Sequence, residues 1–364
     1  MLLTLDHLTV RLPGAARPVL DDVTLRVAAG EVVGLVGEVV GLVGESGSGK
    51  STTAKAALGL LPGRAAATGT VRVDGTDVLA LTGEELRRHR ARTVAMIHQD
   101  PRAALNPVRR VGDFLRERGA DRARAAELLD AVGLSDPERR LRQRPHEFSG
   151  GMLQRVVIAG ALAARPRLLL ADEATSALDV TTQAEILALL RGLRAEQGAG
   201  LLFITHDLHL AAAYCDRVYV MYAGRVVEER TAAAFFAAPA HPYTRGLLAC
   251  SPTLGDTGRS LTPVPGRPPS LGDVFPGCPF APRCQEAEPD CETWRPEALR
   301  LPDGGASACR RTPAQPSTDG TGAEKPLPGT PRADGAATAG AGTTAPRCAE
   351  TAAVEPMTVH RRTP

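Results

Sequence analysis

Aromatic residues are scarce in this chain, and its first 113 residues have none. The 364 residues include one Trp, four Tyr and seven Phe, and none of them precedes Phe114. Any ligand site formed by the first hundred residues therefore lacks an aromatic side chain of its own to stack on a ring of the ligand.

Neither sign of charge is in excess, since 43 Lys and Arg accompany 41 Asp and Glu. The formal net charge of +2 creates no global field that would attract nucleic acid or an anionic membrane. No run approaches the roughly 18 apolar residues that cross a bilayer, and the N-terminal MLLTLDHLTVRL lacks a basic start and a cleavage site. We therefore expect a cytosolic chain that meets a membrane only through partners.

Apolar runs of strand length recur along the chain and alternate, in its later part, with helical patterns. We predict strands at Leu2–Leu5, Val23–Val27, Val71–Val73, Thr93–Ile97, Arg167–Ala171, Leu201–Thr205 and Val218–Met221, with a further strand from the repeat described below. This alternation predicts an α/β fold with a mainly parallel sheet. The hairpin-like GTVRVDGTDV around Asp74 adds an antiparallel N-terminal part.

Residues Gly44–Thr52 read GESGSGKST, which is a phosphate-binding loop of the form GxxxxGKS. Its glycines let successive backbone N–H groups point at phosphate, and the following helix adds its positive end. Lys50 is expected to reach the β and γ phosphates, and the Ser51 hydroxyl to bind Mg²⁺. The residues predicted to contact the nucleotide here are Gly44, Ser46, Gly47, Gly49, Lys50, Ser51 and Thr52.

Two further motifs fit this loop. The apolar strand RLLLA ends in Asp172, which is placed to hold Mg²⁺, and in Glu173, which is placed to accept a proton from the attacking water. The segment FSGGM puts Ser149 at a helix N-cap, followed by Gly150 and Gly151, and so predicts a second anion site.

Taken in this order, the motifs resemble those of the nucleotide-binding subunits of ABC transporters, with FSGGMLQR as the signature. The resemblance extends to about Arg311. It implies that Gln99, in MIHQDP, is the Q-loop residue that senses Mg²⁺ and contacts the membrane subunit. It also implies that Ser176–Asp179 is the D-loop, with Asp179 at the nucleotide, and that His206, in FITHDL, contacts the γ phosphate.

The resemblance implies a P-loop NTPase (RecA-like) core in which two chains face head to tail, so that each FSGGM closes on the nucleotide of the other. One phosphate loop supplies only part of the charge neutralisation that phosphoryl transfer needs, which agrees with a composite site. The implied activity is ATP hydrolysis with Mg²⁺, coupled to dimer closure and transport.

Five further segments resemble those of the oligopeptide, dipeptide and nickel importer ATPases. They are QDPRAALNPVRRVG, MYAGRVVE, HPYTRGLL, PVPGRPPSL and CPFAPRC, spread over half of the chain. The implied partners are two transmembrane permease subunits, a second ATP-binding subunit and, indirectly, an extracytoplasmic substrate-binding protein. The implied location is the cytoplasmic face of the cell membrane, and the implied substrates are peptides, with no role for nucleic acid.

Four of the seven cysteines cluster near the C-terminal end: Cys278, Cys284, Cys291 and Cys309. In a reducing compartment such a cluster suggests a metal rather than disulfides. Its spacing does not decide between zinc, an iron–sulfur cluster and four reduced thiols. Because some members of the resembling subfamily carry a four-iron cluster at such a motif, we favour [4Fe-4S] over zinc.

We divide the chain accordingly. Residues 1–110 and 165–240 form the ATP-binding core, and 111–164 form an inserted helical subdomain that carries the signature. Residues 241–311 form a C-terminal extension with the cysteines. Residues 312–364 are rich in Pro, Ala, Gly and Thr, and we predict that they are disordered.

Two departures from the family pattern affect the ATP site. Members commonly stack an aromatic residue on adenine from the end of the first strand, and here Arg11 and Leu12 fall at that place. We therefore expect weaker nucleotide affinity. In addition, EVVGLVG occurs twice, as Glu31–Gly37 and Glu38–Gly44. We predict that the second copy, which joins the phosphate loop, forms the central strand and that the first is an excursion.

Two rival functions stay open at this point. A soluble ABC ATPase acting on nucleic acid, with the cysteines as a zinc module, would predict coiled coils, a second cassette or a basic face, and the sequence has none of these. Alternatively, the chain is an importer subunit impaired by its duplication.

Overall fold

The computed structural model describes residues 1–37, 48–175, 178–251 and 263–312, without the side chains of 35–37, 180 and 193–197. The fold contains two β-sheets. In chain order, strands β1 to β12 are Leu3–Arg11, Leu20–Val27, Val32–Gly37, Ala66–Val73, Thr76–Asp77, Val94–Ile97, Leu168–Asp172, Gly200–Ile204, Arg217–Tyr222, Arg225–Thr231, Leu299–Arg300 and Ala306–Ser307. Helices α1 to α11 are Lys50–Ala57, Gly83–Arg92, Pro101–Ala104, Val111–Glu117, Arg122–Ala131, Pro137–Arg140, Gly150–Ala163, Val180–Gln197, Leu208–Tyr214, Ala232–Ala237 and Pro242–Ala249. Short 3-10 helices lie at Val78–Ala80, Pro145–Glu147, Ala281–Arg283 and Pro289–Glu292. Within the described ranges, no helix is long and apolar enough to cross a membrane.

The larger sheet has the strand order β11-β12-β10-β9-β3-β8-β7-β6 and is parallel from β9 to β6. Strands β7 and β8 are buried at every residue, because both faces of the sheet are covered. Leu168 and Leu170 face one hydrophobic core, shared with α1, whereas Leu169 and Ala171 face another, shared with the helices of the opposite side. The predicted α/β fold with a mainly parallel sheet is confirmed.

The smaller sheet has the order β2-β1-β4-β5 and is antiparallel. Strands β4 and β5 are joined by Asp74 and Gly75, which both have positive φ, 49° and 81°. Two such residues give a two-residue turn the twist that a hairpin requires. This is the antiparallel part that the sequence predicts, and its inner face packs on α1 through the fully buried Ala54 and Ala57.

Residues 98–167, all of them described, contain helices and no strand. They are α3 to α7, and α4 to α7 lie within 111–164, the stretch that the sequence predicts to be helical. Helix α7 packs closely on α4, because a Cβ placed on Gly160 would lie 2.2 Å from Cε1 of Phe114. The domain boundaries assigned to this segment stay a prediction.

The C-terminal extension packs against the end of the large sheet. Strand β12 pairs with β10 at Glu228 and Ser307. The rings of Tyr222, Tyr243 and Phe280 form a cluster with centroids 4.6 to 5.3 Å apart. Thr312, the first residue of the predicted tail, is buried and donates to the Ser307 hydroxyl. The rest of that predicted tail, 313–364, lies outside the described residues.

The central strand is formed by the first copy of the repeat and not by the second, so that prediction is wrong. Strand β3, Val32–Gly37, lies parallel to and between β8 and β9. The second copy, Glu38–Gly44, lies outside the described residues.

A tight turn after β2 accounts for this choice. The Glu31 carboxylate accepts a hydrogen bond from the Ala28 N–H at 2.7 Å, and the Glu31 N–H donates to the Ala28 carbonyl. The same carboxylate pairs with Arg217 at 2.5 Å, and Asp216 accepts from the Val32 N–H at 2.8 Å. Because the two copies have identical residues, sheet contacts cannot distinguish them. Only Glu31 stands three residues after Ala28, where it closes this turn.

Replacing Glu31 with Ala should therefore destabilise the protein. The change removes a partly buried ion pair and an acceptor for a backbone N–H, which costs about 1–3 kcal/mol of unfolding free energy. Glu38→Ala, at the matching position of the second copy, should change it by less than about 0.5 kcal/mol. Thermal unfolding of both variants measures the difference. A larger loss in Glu38→Ala than in Glu31→Ala would show that the second copy occupies the strand.

Candidate active site

The described part of the phosphate loop begins at Ser48 and leads directly into α1. Gly49 caps this helix with φ 94°, in the left-handed region. A Cβ on Gly49 would lie 2.6 Å from Cδ2 of Leu20 and 3.0 Å from the Val19 carbonyl oxygen, so this position requires glycine. Lys50 is buried, and its Nζ donates to Ser48 Oγ at 3.3 Å.

The hydroxyl of Ser51 joins the phosphate-loop helix to strand β7. Ser51 Oγ donates to Asp172 Oδ1 at 3.2 Å. Asp172 is only 6% exposed, and burial raises the pKa of its carboxyl, while the Ser51 hydrogen bond opposes that rise. A buried carboxylate beside a hydroxyl offers two oxygen ligands of the kind that Mg²⁺ prefers. The structure thus brings together two of the three residues predicted to hold Mg²⁺.

Glu173 connects the remaining predicted catalytic residues. Gln99 Nε2 donates to Glu173 Oε2 at 2.6 Å, and His206 Nδ1 lies 3.5 Å from Glu173 Oε1. The Glu173 backbone has φ 47°, an unfavourable conformation for a residue with a side chain, and its N–H donates to the carbonyl of Ile204. This backbone strain at the end of β7 occurs where the carboxylate meets both partners.

The topology explains why residues far apart in sequence meet here. Gln99 follows β6, Asp172 ends β7 and His206 follows β8, and these three strands are neighbours in one parallel sheet. The carboxyl ends of parallel strands lie at the same edge, which is where open α/β sheets bind ligands. At this edge an acid, an amide and an imidazole converge beside the phosphate-loop helix.

The signature segment is exposed. Ser149 caps α7, with its Oγ accepting from the Met152 N–H at 3.4 Å. A Cβ on Gly150 would meet nothing within 4 Å. Among the described residues, no hydrogen bond joins Ser149 to Ser51 or Asp172. The N-terminus of this fourteen-residue helix therefore presents its N–H groups outward.

Asp179 caps a helix. Its Oδ1 accepts from the Thr182 N–H at 3.0 Å and its Oδ2 from the Thr182 hydroxyl at 2.8 Å, at the start of α8. These bonds hold the pKa of Asp179 below its usual range. Its contact with nucleotide stays a prediction. The other predicted contacts Gly44, Ser46 and Gly47, and Ser176 of the D-loop, lie outside the described residues.

Sequence reasoning missed Gln154, a buried residue on α7. Its Nε2 donates to the Ala174 carbonyl at 2.7 Å and to the His98 carbonyl at 3.3 Å. Ala174 follows Glu173, and His98 precedes Gln99. Gln154 thus connects the signature helix to the two segments that carry Glu173 and Gln99. A polar residue on the apolar face of α7 was the available signal.

Comparison with known proteins shows the family of the chain. The family description "ABC transporter" matches residues 20–176, and "Oligopeptide/dipeptide transporter, C-terminal region" matches residues 227–291. The oligopeptide transport ATP-binding protein OppD of Escherichia coli is 46% identical over 312 residues, which are 83% of this chain and 90% of that protein. The chain belongs to the oligopeptide-type ATP-binding proteins of ABC transporters.

Other similar proteins differ in length. OppD of Mycobacterium bovis is 50% identical over 315 residues, which are 84% of this chain but 50% of that protein. The chain thus spans about half the length of this mycobacterial relative. Among solved structures, the ATP-binding cassette MJ0796, a dimer in a post-hydrolysis state bound to ADP and Pi, is 30% identical. It aligns with a TM-score of 0.55 over 63% of this chain and 98% of that one.

These findings confirm the resemblance and the P-loop NTPase fold expected from the motifs. They also place this cassette among ATP-binding transport subunits, for which ATP and Mg²⁺ are the expected ligands. The roles of individual residues are proposals, developed below.

The four clustered cysteines of this ABC protein are free thiols that line one cavity, together with His241 and Trp294. Burial raises the pKa of Cys278 and Cys284, while backbone N–H groups that donate to their sulfurs lower it. Over the described residues, no group of three or more His, Cys, Asp or Glu is arranged to hold a metal ion as the side chains stand.

Replacing Gln154 with Leu should impair this cassette at a distance from the nucleotide. Two carbonyls in the interior lose their donor, which costs about 1–3 kcal/mol of stability for the buried bond. We expect a lower melting temperature and a fall in kcat of roughly tenfold, since small displacements of catalytic groups reduce rate strongly. Gln143→Leu, on a half-exposed turn of the helical segment, is the control. Equal kcat in both variants would remove Gln154 from the positioning of the site.

Proposed function

We propose that this chain is the ATP-hydrolysing subunit of a peptide importer, bound to permease subunits at the cytoplasmic face of the membrane. One observation carries this proposal. Glu173 lies between Gln99 and His206, directly after an Asp172 that is bonded to Ser51 of the phosphate-loop helix. This is the arrangement that ATP hydrolysis needs, and the chain belongs to a family of transport ATP-binding proteins.

Glu173 is the group that we propose as general base. Its carboxylate lies at the sheet edge, where it can accept a proton from a water molecule that attacks the γ phosphate. Gln99 donates to one carboxylate oxygen, and His206 stands near the other. These two neighbours orient the carboxylate, and His206, whose side chain is 56% exposed, is available to the γ phosphate.

Lys50 and the N–H groups at the start of α1 would bind the phosphates. Ser51, Asp172 and Gln99 would hold Mg²⁺, since hydroxyl, carboxylate and amide oxygens are its preferred ligands. When bound, Mg²⁺ neutralises charge on the β and γ phosphates. The buried Asp172 carboxyl supports this role, because a cation beside it would relieve the unfavourable burial of its negative charge.

The exposed signature is proposed to complete the site of a second subunit. Ser149, Gly150 and Gly151 present a helix N-terminus to solvent, and helix N-termini bind anions. Two ATP-binding subunits facing head to tail would place this segment on the partner's ATP. Closure on ATP and reopening after hydrolysis would then drive the permeases.

Peptides are the proposed cargo, delivered by an extracytoplasmic binding protein. Support comes from the match of residues 227–291 to the oligopeptide/dipeptide C-terminal region and from the oligopeptide transport relatives. Gln99 and the helical segment around α3 to α7 are the proposed contacts with the permeases, because Gln154 links both to the catalytic edge.

We also propose that the four clustered cysteines hold a metal centre, as [4Fe-4S] or, in its place, zinc. Four thiols converge on one cavity, and rotation about χ1 is enough to redirect a cysteine sulfur. Arg310 and Arg311 line the same cavity and would offset the charge of bound thiolates. Backbone N–H groups already donate to Cys278 and Cys284, as they do to the sulfurs of metal centres.

Changing Glu173 to Gln should lower steady-state ATPase activity by about 10² to 10⁴, because the general base is lost. ATP binding should persist, since the phosphate-binding groups are unchanged. Glu185→Gln, on an exposed part of α8, should keep the activity of the unmodified protein. Equal rates for the unmodified protein and Glu173→Gln would mean no turnover at this site and would favour a subunit impaired by its repeat.

The metal centre is tested by anaerobic purification with iron, sulfide and zinc analysis. A brown protein with iron and sulfide supports the four-iron cluster, and a colourless protein with zinc supports the alternative. Cys284→Ser should lower the metal content in either case, whereas Cys250→Ser, outside the cavity, should not. An unmodified protein without any of these elements would overturn the proposed centre.

A further inference from the structure

A cavity of about 240 Å³ lies between the smaller sheet and the C-terminal extension. Its walls include four arginines, one carboxylate and one aromatic ring: Arg11, Arg17, Arg225, Arg295, Asp21 and Phe275. The mechanism above uses none of these residues. The volume is just below the usual range of small-molecule pockets, about 300 Å³ and more, and so suits part of a ligand.

The cavity adjoins the phosphate loop on two sides. Gly49 touches Val19 and Met221, since a Cβ there would lie 3.0 Å from the Val19 carbonyl oxygen and 3.5 Å from Cε of Met221. Pro18, which precedes Val19, and Ala223, two residues after Met221, both line the cavity. Two residues that line the cavity are therefore one or two positions along the chain, at about 3.8 Å per position, from residues that approach Gly49 of the phosphate-binding loop.

Arg17 fixes the extension at this place. Arg17 is 8% exposed, and its guanidinium donates to the carbonyls of Ser270 at 2.8 Å and Ala223 at 2.9 Å. Its backbone N–H donates to the Leu271 carbonyl. These bonds hold the segment that leads to Phe275 against the start of β2, so the ring's place in the cavity wall is set by buried hydrogen bonds.

The charges of the cavity favour an electron-rich or anionic ligand. The carboxylate of Asp21 is shared by Arg225 at 2.6 Å and Arg295 at 3.2 Å. Arg11 is exposed, and its guanidinium has no ion pair among the described residues. Phe275 lines the same cavity and is half-buried, and its neighbour Val274 is 70% exposed. A planar, electron-rich ring between Phe275 and Arg11 would satisfy both groups.

We propose that this cavity takes the adenine base of the nucleotide bound at the phosphate loop, with the base stacked on Phe275 and covered by Arg11. The inference rests on the ATP site proposed above and extends it to the base. It places the stacking ring in the C-terminal extension, more than 160 residues beyond Phe114, the first aromatic residue of the chain. The extension then belongs to the nucleotide site and compensates for the missing aromatic residue at Arg11 and Leu12.

The test compares a ligand that has the base with one that lacks it. ADP and pyrophosphate, each with Mg²⁺, are titrated into the full chain and into Phe275→Ala. Loss of stacking should weaken ADP binding by about 5- to 100-fold, whereas pyrophosphate binding should change by less than about twofold. Phe275→Trp should restore ADP affinity, and its added indole fluorescence should respond to ADP but not to pyrophosphate.

Two controls separate the possible failures. Lys50→Ala should weaken both ligands, and Val108→Ala, at an exposed residue outside the cavity, should weaken neither. An unmodified protein that binds neither ligand, or that binds both independently of Lys50, would overturn the proposed ATP site itself. Lys50-dependent ADP binding that Phe275→Ala leaves unchanged would overturn only the base pocket. Equal loss of both ligands in Phe275→Ala would assign the ring a structural role and also overturn the base pocket.

Discussion

The hydrogen bond between Ser51 and Asp172 is the contact on which the site depends. It joins the helix that follows the phosphate loop to the strand that ends in the acid pair, across 121 positions of sequence. Asp172 is buried, so a carboxylate at this place needs a donor or a cation to offset its desolvation. Glu173 follows directly, and its N–H donates to the Ile204 carbonyl at the sheet edge, where Gln99 and His206 meet its carboxylate. A parallel sheet with both faces covered makes this convergence possible, because its strands all end at one edge.

The repeat shows where local sequence stops being informative. Strand propensity, alternation and proximity to the phosphate loop are the same or better for Glu38–Gly44, yet Glu31–Gly37 forms β3. The non-local contacts from Glu31 to Arg217 and from Asp216 to Val32 would be available to the same residues of either copy, so the short turn at Ala28 decides between the copies. The seven additional residues must lengthen the loop either before or after the strand, and the entropic cost of loop closure differs little between these two loops. The hydrogen bonds of the turn at Ala28 favour the first copy, and a pattern of apolar residues does not reveal them.

Most of the remaining fold could be predicted because its elements are strongly patterned. Buried strands such as β7 and β8 read as continuous apolar runs, and the turn at Asp74 and Gly75 has the residues that a hairpin demands. The motifs also single out Lys50, Asp172, Glu173 and His206, whose roles stay predictions. Gln154 escaped because its importance comes from two carbonyl acceptors on other elements, which no spacing along one helix encodes. Likewise, the cap that Ser149 provides is visible in the sequence, but the cap that Asp179 provides and the exposure of the signature appear only in the structure.

The scarcity of aromatic residues links the two ends of the chain. The first 113 residues have no rings, and they contribute aliphatic side chains to the core, such as the fully buried Leu3, Leu5, Leu8 and Leu25. A site for a planar base cannot be completed so easily, because an aliphatic side chain provides no π surface to stack on. The extension has rings, and Arg17, which lies shortly before β2, donates to the Ser270 carbonyl of the extension and to the Ala223 carbonyl between β9 and β10. A substitution that weakens Arg17 would therefore disturb the docking of the extension and the wall of the nucleotide cavity together. Through these bonds the proposed base cavity depends on the extension, even though Glu173, the proposed general base, lies in the core.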